Sequence, residues 1–289
     1  MILGIDIGNY SVKVSPKLNF KSLISTEENI LGNETVIEYD NKKFIIGEGE
    51  FETELNKSMK ENFLPLLYTA IALSSEDTFN QVVCGLPLNQ YKANKDNLKN
   101  LINQNKIKKI KINGKMREII INEFEVYPEG VGAYYSISNN EADVIIVDIG
   151  GRTTDIAYIS NGKLLKSSTV PVGTLNIYNQ VLDKINGDFS LNLDINFVDS
   201  IMEKGYLKID DHDVDLRFVT DILKKNFVLI KQELDLKFPA RTVNIILVGG
   251  GAKLFKKAFR NRYANCQIDS NFLYANAEGF KKVGENLWD

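Results

Sequence analysis

The chain has 289 residues, of which 44% are hydrophobic and 25% are charged. This composition is typical of a globular protein and excludes a disordered or fibrous one. The formal net charge of −3 excludes a global basic field that would draw the chain onto nucleic acid. The apolar start at Met1 is short and is interrupted by Asp6, so we expect no signal peptide, no membrane span and a cytoplasmic location.

The first half of the chain is predicted to begin with three strands, the third near residues 43–47. Apolar residues at helical spacing predict a helix over about 50–73. A buried strand is predicted over 81–86, where Cys84 is expected to be a reduced core thiol. A helix is predicted over 92–104.

Residues 106–127 are predicted to form two or three strands, broken at Asn113-Gly114, a dipeptide that favours a tight turn. Lysine and isoleucine alternate over 106–111, which predicts a strand with one solvated face. Pro128 is predicted to begin the next helix, because proline is tolerated in the first helical turn.

The second half alternates strands and helices, with a polar region at 186–215. Asn161-Gly162 predicts a two-residue hairpin between two of its strands. The predicted elements are, in order, strands at 143–148, 154–160 and 163–170, a helix from 174 to about 185, an amphipathic helix at 216–236, a strand at 244–248, and helices at 252–260 and 276–288.

One short pattern occurs twice. An apolar strand runs into Asp-Ile-Gly, a polar turn follows, and a second apolar strand begins, first from Met1 and again from Val144. Asp6 corresponds to Asp148, Gly8 and Asn9 to Gly150 and Gly151, and Lys13 to Asp155.

A glycine directly after a strand allows backbone amides to approach a phosphate closely. An aspartate at such a turn suits Mg²⁺, which prefers carboxylate, water and phosphate oxygens. Taken singly, each Asp-x-Gly is equally well explained as an ordinary turn. The matched repetition favours two phosphate-holding turns, with Asp6, Asp148 and Asp155 near the metal and Lys13 near the terminal phosphates.

These motifs resemble the actin, heat-shock chaperone and sugar-kinase superfamily. DIGNYSVK resembles its first phosphate loop and DIGGRTTD its second. PEGVGAY, from Pro128, resembles the first connecting helix. VGGGA, from Val248, resembles the adenosine motif, and YANAEGF, from Tyr274, resembles the second connecting helix. Within the superfamily, the short length and the NAxGF-like ending are most similar to plasmid-segregation actins of the ParM/StbA type.

The resemblance implies an α/β fold of two actin-like lobes, which are duplicated RNase H-like domains with a nucleotide cleft between them. Lobe I would span 1–135, with a small outer subdomain at about 30–75, and would be completed by a C-terminal helix at 272–289. Lobe II would span 136–271, with a small outer subdomain at about 186–218.

The resemblance also implies site roles. Glu129 matches the residue that polarises the attacking water, and Asp148 is the second catalytic candidate. Arg152 departs from the small residue common at its position. The candidate nucleotide-binding residues are Gly8, Asn9, Tyr10, Ser11, Lys13, Gly150, Gly151, Arg152, Thr153, Gly173, Gly249, Gly250 and Gly251.

The implied function is a slow, assembly-stimulated ATP hydrolase that polymerises head to tail. It would use ATP, or GTP, with Mg²⁺ and would segregate plasmid or other DNA through a DNA-binding adaptor, without touching nucleic acid or membrane itself. Two alternatives stay open: a small-molecule kinase of the same superfamily and a non-motile scaffold ATPase. The single histidine, His212, cannot by itself supply a catalytic triad or a zinc site.

Overall fold

The computed structural model describes residues 1–27, 34–137 and 142–289. Residues 30–33 of the predicted outer subdomain, and 138–141 just after the predicted lobe boundary, lie outside the described residues. The chain forms two large mixed sheets with helices packed on their faces, which confirms the α/β prediction. The limits chosen above for the lobes and subdomains stay predictions.

The first sheet has ten strands in the order β3-β2-β1-β8-β10-β9-β5-β6-β4-β7. Its strands are β1 (Ile2–Ile7), β2 (Ser11–Ser15), β3 (Leu18–Lys21), β4 (Leu23–Ser25), β5 (Thr35–Tyr39), β6 (Lys42–Ile46), β7 (Glu50–Phe51), β8 (Phe79–Leu86), β9 (Ile107–Ile112) and β10 (Lys115–Pro128).

The second sheet has five strands in the order β13-β12-β11-β16-β17. They are β11 (Asp143–Ile149), β12 (Thr154–Ser160), β13 (Lys163–Val170), β16 (Asn244–Val248) and β17 (Cys266–Ile268), while β14 (Lys208–Ile209) and β15 (His212–Asp213) form a separate hairpin.

The helices are α1 (Phe63–Ser74), α2 (Leu88–Gln104), α3 (Val131–Ser136), α4 (Thr174–Phe189), α5 (Ile195–Lys204), α6 (Arg217–Lys237), α7 (Ala252–Arg262) and α8 (Ala275–Trp288).

Five strands of each sheet share one topology. In the first sheet β1 pairs antiparallel with β2, and β2 with β3, while β1, β8 and β10 run parallel. In the second, β11, β12 and β13 are antiparallel and β11, β16 and β17 run parallel. The internal duplication inferred from the two Asp-Ile-Gly motifs therefore extends over both central sheets.

Alternation along the strands sends side chains into a separate core on each face of a sheet. On β8, Val82 and Cys84 belong to the core that includes α1, whereas Val83 packs with Phe280 of α8. The last helix packs on the first sheet, where α8 crosses β1 so closely that a Cβ on Gly4 would lie 1.9 Å from the Ala277 carbonyl oxygen.

Three predicted helix starts differ from the structure. Residues 50–51 form a strand paired with β4, and Asn56 then caps a short 3₁₀ turn, Lys57–Met59, by accepting from the Ser58 amide. The helix begins only at Phe63. The apolar spacing that suggested a longer helix is continuous only from that residue.

Pro128 does not begin a helix: it is the last residue of β10, paired with Leu86. The chain stays extended there because the Glu129 amide donates to the Leu86 carbonyl, at 2.8 Å. Gly130 then reverses the chain at a φ of +76°, and α3 starts at Val131. The helix predicted from residue 92 also begins earlier, at Leu88.

Candidate functional site

The two Asp-Ile-Gly motifs fold into equivalent turns, which we call turn I (residues 8–11) and turn II (residues 150–153). Asp6 lies opposite Lys13 across β1 and β2, and Asp148 lies opposite Asp155 across β11 and β12. The Gly8 amide donates to the Ser11 carbonyl at 3.2 Å, and the Gly150 amide to the Thr153 carbonyl at 2.9 Å. These two amides close the turns, so later amides are the candidates for a ligand.

The turns approach each other across a central cleft of about 490 Å³, including its solvent-open mouth. A Cβ on Gly151 would lie 2.9 Å from the backbone nitrogen of Tyr10, so only glycine allows this approach. The cleft is lined by Asp6, Gly8, Asn9, Lys13, Lys57, Glu129, Asp148, Gly150, Gly151, Thr153, Asp155, Gly249, Gly250, Phe272, Leu273 and Asn276.

On the side of turn I, Asp6 lies between two ammonium groups. The Lys13 Nζ atom is 3.6 Å from one of its carboxylate oxygens, and the Lys57 Nζ atom is 3.7 Å from the other. Lys57 also forms an ion pair with Glu129 and donates to the Gly85 carbonyl at 3.3 Å. Charge attraction to Lys57 therefore fixes the position of Glu129, the predicted water-orienting residue.

On the side of turn II, the two facing residues are both acids. The Asn276 side-chain nitrogen donates to Asp148 at 2.6 Å, while its oxygen accepts from the Gly130 and Ala133 amides at 3.0 and 3.2 Å. Asn276 thus joins the two connecting helices to the central carboxylate. Asp155 accepts a hydrogen bond from the Thr169 hydroxyl.

Burial raises the pKa values of three acids in the cleft. Burial raises the pKa of Asp148 to about 7, and the charges of Glu129 and Asp6 add to the effect. The pKa values of Asp155 and Glu129 are raised as well, again chiefly by burial. Burial lowers the pKa of Lys57, but the charges of Glu129 and Asp6 outweigh it, so the net shift is upward. Clustered buried acids of this kind are stabilised by a bound cation.

A Mg²⁺ ion fits this donor set in one particular way. Within the described ranges, no three His, Cys, Asp or Glu side chains are grouped so that they could enclose a metal directly. Mg²⁺ in phosphate sites usually keeps several waters and takes only one or two carboxylates. The donor set therefore fits a metal held by phosphate oxygens, by water and by one or two of the three predicted carboxylates, Asp6, Asp148 and Asp155, at a time.

A side cavity of about 940 Å³, including its solvent-open mouth, adjoins the central cleft. Tyr10 and Ser11 line it together with Thr174, Tyr178 and Glu203. It shares with the cleft the lining residues Lys13, Gly150, Gly151, Gly250 and Leu273. The two spaces therefore lie on either side of these shared residues, next to turn II.

Some candidate residues lie behind the cleft wall. Gly173 packs against turn II, where a Cβ would lie 2.5 Å from the Arg152 nitrogen, and a Cβ on Gly251 would lie 2.3 Å from the Ile149 side chain. The Arg152 side chain crosses to the opposite half of the molecule, where it donates to the Glu52 carbonyl at 2.9 Å. Gly249 has a φ of +82°, and a Cβ there would lie 2.3 Å from an oxygen of Asp148.

Sequence reasoning missed Lys57 and Asn276 as site residues. Asn276 lies inside the motif that resembles the second connecting helix, so its position was available although its contact with Asp148 was not. Lys57 gives no local signal, because it lies in a polar segment and the whole chain has 35 lysines and arginines.

Two family models match the chain, "Actin like proteins N terminal domain" over residues 4–132 and "Archaeal actin homologue MreB-like, C-terminal" over 146–261. The chain belongs to the actin-like proteins. This agrees with the resemblance drawn from the turn motifs, and the two-lobed actin-like fold is confirmed.

Solved structures support the same fold for this actin-like chain. Ta0583, an archaeal actin homologue, is 20% identical with a TM-score of 0.83, and the match covers 99% of both chains. A 15-stranded ParM filament from Clostridium botulinum is 22% identical, with a TM-score of 0.82 and 99% coverage of both. Ta0583 has also been solved in complex with ADP, at a TM-score of 0.80 and 20% identity, with 99% of each chain covered.

No curated protein sequence matches the actin-like chain. Among the residues that the structure describes, no helix is both long enough and apolar enough to cross a lipid bilayer.

Proposed function

We propose that this actin-like chain is a Mg²⁺-dependent ATPase whose nucleotide lies between turn I and turn II. The observation that carries the proposal is the meeting of two equivalent Asp-x-Gly turns across one cleft, with Gly151 directly against the Tyr10 backbone. A triphosphate between the turns would place its nucleoside in the adjoining side cavity. GTP is a possible substrate in the same geometry.

Hydrolysis of the γ-phosphate requires little covalent chemistry from the protein. A water oxygen bonds to the γ-phosphorus, the bond to the bridging oxygen breaks, and its electron pair stays on the β-phosphate. Glu129 orients the water and accepts its proton, while Lys13 neutralises phosphate charge. Bound Mg²⁺ would add further charge neutralisation.

Asp148 would orient the water shell of that metal, and Asn276 fixes the position of Asp148 with its hydrogen bond. This is a positioning role that the sequence reasoning did not anticipate. The expected turnover is slow in the monomer and faster after assembly.

We infer that the triphosphate-bound protein polymerises head to tail into filaments of the ParM type. A heterologous contact that does not close produces an open filament. The support is the likeness of fold to a protein solved as a ParM filament. DNA segregation would then go through a DNA-binding adaptor, since the net charge of −3 does not favour direct DNA contact.

Right-angle light scattering with Mg-ATP, followed by electron microscopy, tests the proposal. We expect scattering to rise after nucleotide addition, filaments on the grids, and phosphate release that rises more than linearly with protein concentration. Turnover that depends on an added sugar would contradict filament function and support the kinase alternative. Absence of any Mg²⁺-dependent turnover, with or without a sugar, would contradict the ATPase itself.

A further inference from the structure

The two ends of helix α6 carry opposite charge. This helix, Arg217–Lys237, has 21 residues, which at about 1.5 Å per residue gives a length of roughly 30 Å. An acidic hairpin precedes it in the chain, and a basic segment follows it. Since charges in physiological salt are screened beyond about 10 Å, these two regions cannot neutralise each other within one copy.

The acidic region consists of β14, β15 and the residues up to α6, and we call it the acidic hairpin (residues 208–215). It contains four aspartates that are all exposed: Asp210, Asp211, Asp213 and Asp215. Asp210 and Asp211 form the tip, where both have a positive φ. The base of the hairpin is fixed, because the Val214 amide donates to the carbonyl of the buried Leu207 at 2.9 Å. The aspartates are therefore held out into solvent on an anchored support.

Part of this charge is already paired. Asp211 lies 3.4 Å from the Lys208 ammonium group, and Asp215 lies 2.5 Å from the Arg217 guanidinium group. Among the described residues, Asp210 and Asp213 have no cation within ion-pair distance. Two carboxylates of the acidic hairpin are therefore free to meet a partner.

The basic region follows α6 directly. Residues 236–268 contain no aspartate or glutamate and seven lysines and arginines, which are Lys237, Arg241, Lys253, Lys256, Lys257, Arg260 and Arg262. Two of the seven, Arg241 and Arg262, border an open pocket of about 680 Å³, including its solvent-open mouth. We call it the basic pocket; it is lined by Asp235, Phe238, Pro239, Ala240, Arg241, Thr242 and Arg262.

The one acid of the basic pocket is already neutralised. Asp235 accepts from the Arg262 guanidinium group and from the Tyr263 hydroxyl, each at 2.9 Å, and pairs with Lys231 at 2.9 Å. Arg241 is exposed, and no carboxylate in the part of the chain that the structure describes lies within ion-pair distance of it. The basic pocket therefore presents a free cation to an incoming anion.

A solvated surface would account for any one of these charges. It does not account for their segregation to the two ends of one helix, in a chain whose formal net charge is only −3. A projecting acidic tip and a concave basic pocket complement each other in shape and in charge. Because they lie at opposite ends of α6, a contact between them repeats in one direction and does not close.

We propose that the acidic hairpin of one copy docks in the basic pocket of the next copy. This inference rests on the filament proposed above and names its contact. The free carboxylates of Asp210 and Asp213 would then lie against Arg241 of the neighbouring copy. Each copy contributes one hairpin and one pocket, so every subunit in the filament makes the same pair of contacts.

The experiment reverses one charge on each surface and measures MgATP-dependent sedimentation of the full-length chain. Asp213→Lys should raise the protein concentration that stays in the supernatant by about 10-fold or more, because like charges then face each other. Arg241→Glu should have the same effect. Neither residue lines the central cleft, so each variant should bind MgATP like the wild type, which also shows that its fold is intact.

Mixing the two variants separates docking from a folding defect. In an equimolar mixture, the reversed hairpin of one variant meets the reversed pocket of the other, and the two unchanged surfaces also meet. Alternating filaments should therefore sediment at close to the wild-type concentration. The double variant Asp213→Lys/Arg241→Glu should sediment by itself for the same reason.

Lys92→Glu and Asp96→Lys are the matched controls, because both residues are exposed on α2. Each should sediment like the wild type. Single variants at the acidic hairpin and basic pocket that sediment like the wild type would overturn the docking, as would a mixture and a double variant that both stay in the supernatant. A wild type that does not sediment with MgATP would instead contradict the filament, and the docking with it.

Discussion

Turn I and turn II share one backbone conformation, but the strand residues beside them differ in charge. At the paired strand positions, turn I has Asp6 opposite Lys13, whereas turn II has Asp148 opposite Asp155. The lobe I pair is an ion pair at 3.6 Å, and the lobe II pair is two buried acids with raised pKa values. The duplication thus preserves the backbone of the turn, while the flanking charges are a paired acid and lysine on one side and two acids on the other.

The third residue of each turn forms a hydrogen bond with the opposite half of the molecule. Tyr10 donates from lobe I to Asp199 on α5, and Arg152 donates from lobe II to the Glu52 carbonyl after β7. Lys21 adds a contact to Asp199 at 2.7 Å. Each turn therefore reaches across the cleft to an outer segment of the opposite half. Equivalent positions therefore link the two halves, Tyr10 by a hydrogen bond to a carboxylate and Arg152 by a hydrogen bond to a backbone carbonyl.

The largest expected effect comes from removing a carboxylate on the side of turn II. Asp148→Ala should abolish Mg²⁺-dependent ATP hydrolysis, because it removes the carboxylate that Asn276 orients, and a fall of at least about 100-fold in phosphate release is the threshold. Asp183→Ala on the exposed face of α4 is the control, with turnover expected to stay at the wild-type value. Wild-type turnover in Asp148→Ala would remove the residue from the site.

A somewhat smaller effect is expected at the residue between the turns. Glu129→Ala should keep nucleotide binding but slow hydrolysis by roughly 100-fold or more, as for loss of a general base. Binding and single-turnover rates measured on the same preparation separate the two steps. Equal loss of binding and rate would mean that Glu129 mainly holds the cleft together.

Two adjacent glycines test how tightly the chain packs behind turn II. Gly249→Ala forces a Cβ to within 2.3 Å of Asp148 at a φ of +82°, so it should lower the free energy of unfolding by about 2–4 kcal/mol. Gly250→Ala meets nothing closer than 3.9 Å and should change that free energy by less than about 1 kcal/mol. Thermal melts of the two variants decide, and equal melting temperatures would contradict the steric reason.

The lysine beside turn I gives a pH-dependent effect. Burial, with the charges of Lys57 and Arg152, lowers the pKa of Lys60 to about 8. The unfolded chain therefore binds more protons at Lys60 between pH 8 and pH 10, so wild-type stability should rise with pH relative to Lys60→Met, by about 1–2 kcal/mol. Denaturant melts at several pH values measure this difference, and a difference that is flat or falls with pH would contradict the shift.

The smallest expected effect concerns the contacts that cross the cleft. Tyr10→Phe keeps the ring against Phe51 but removes the hydrogen bond to Asp199, and Arg152→Met removes the bond to Glu52. Each should speed release of a fluorescent ADP analogue by several-fold, consistent with about 1 kcal/mol per hydrogen bond. Unchanged release from both would mean that these contacts do not restrain opening.

Much of this fold follows from local pattern. The Asn113-Gly114 and Asn161-Gly162 hairpins are confirmed, because both residues of each dipeptide adopt the positive φ values that such turns need. The strand with alternating Lys and Ile is confirmed as β9, with Ile110 and Ile112 buried and Lys109 exposed.

The misses come from long-range contacts. Pro128 extends β10 because of its pairing with Leu86, and nothing within a short window around it reports that partner. Lys57 and Asn276 enter the site through contacts with residues 72 and 128 positions away, respectively. Spacing along the chain predicted both turns, but it could not predict which polar side chains fold back between them.

The most direct test of the account is a crystal structure with Mg²⁺ and a non-hydrolysable ATP analogue. The account predicts phosphate oxygens in contact with backbone amides of both turns, the metal or its waters against Asp6 and Asp148, and the nucleoside in the side cavity. A nucleotide bound by one half alone, or a metal distant from both carboxylates, would contradict it.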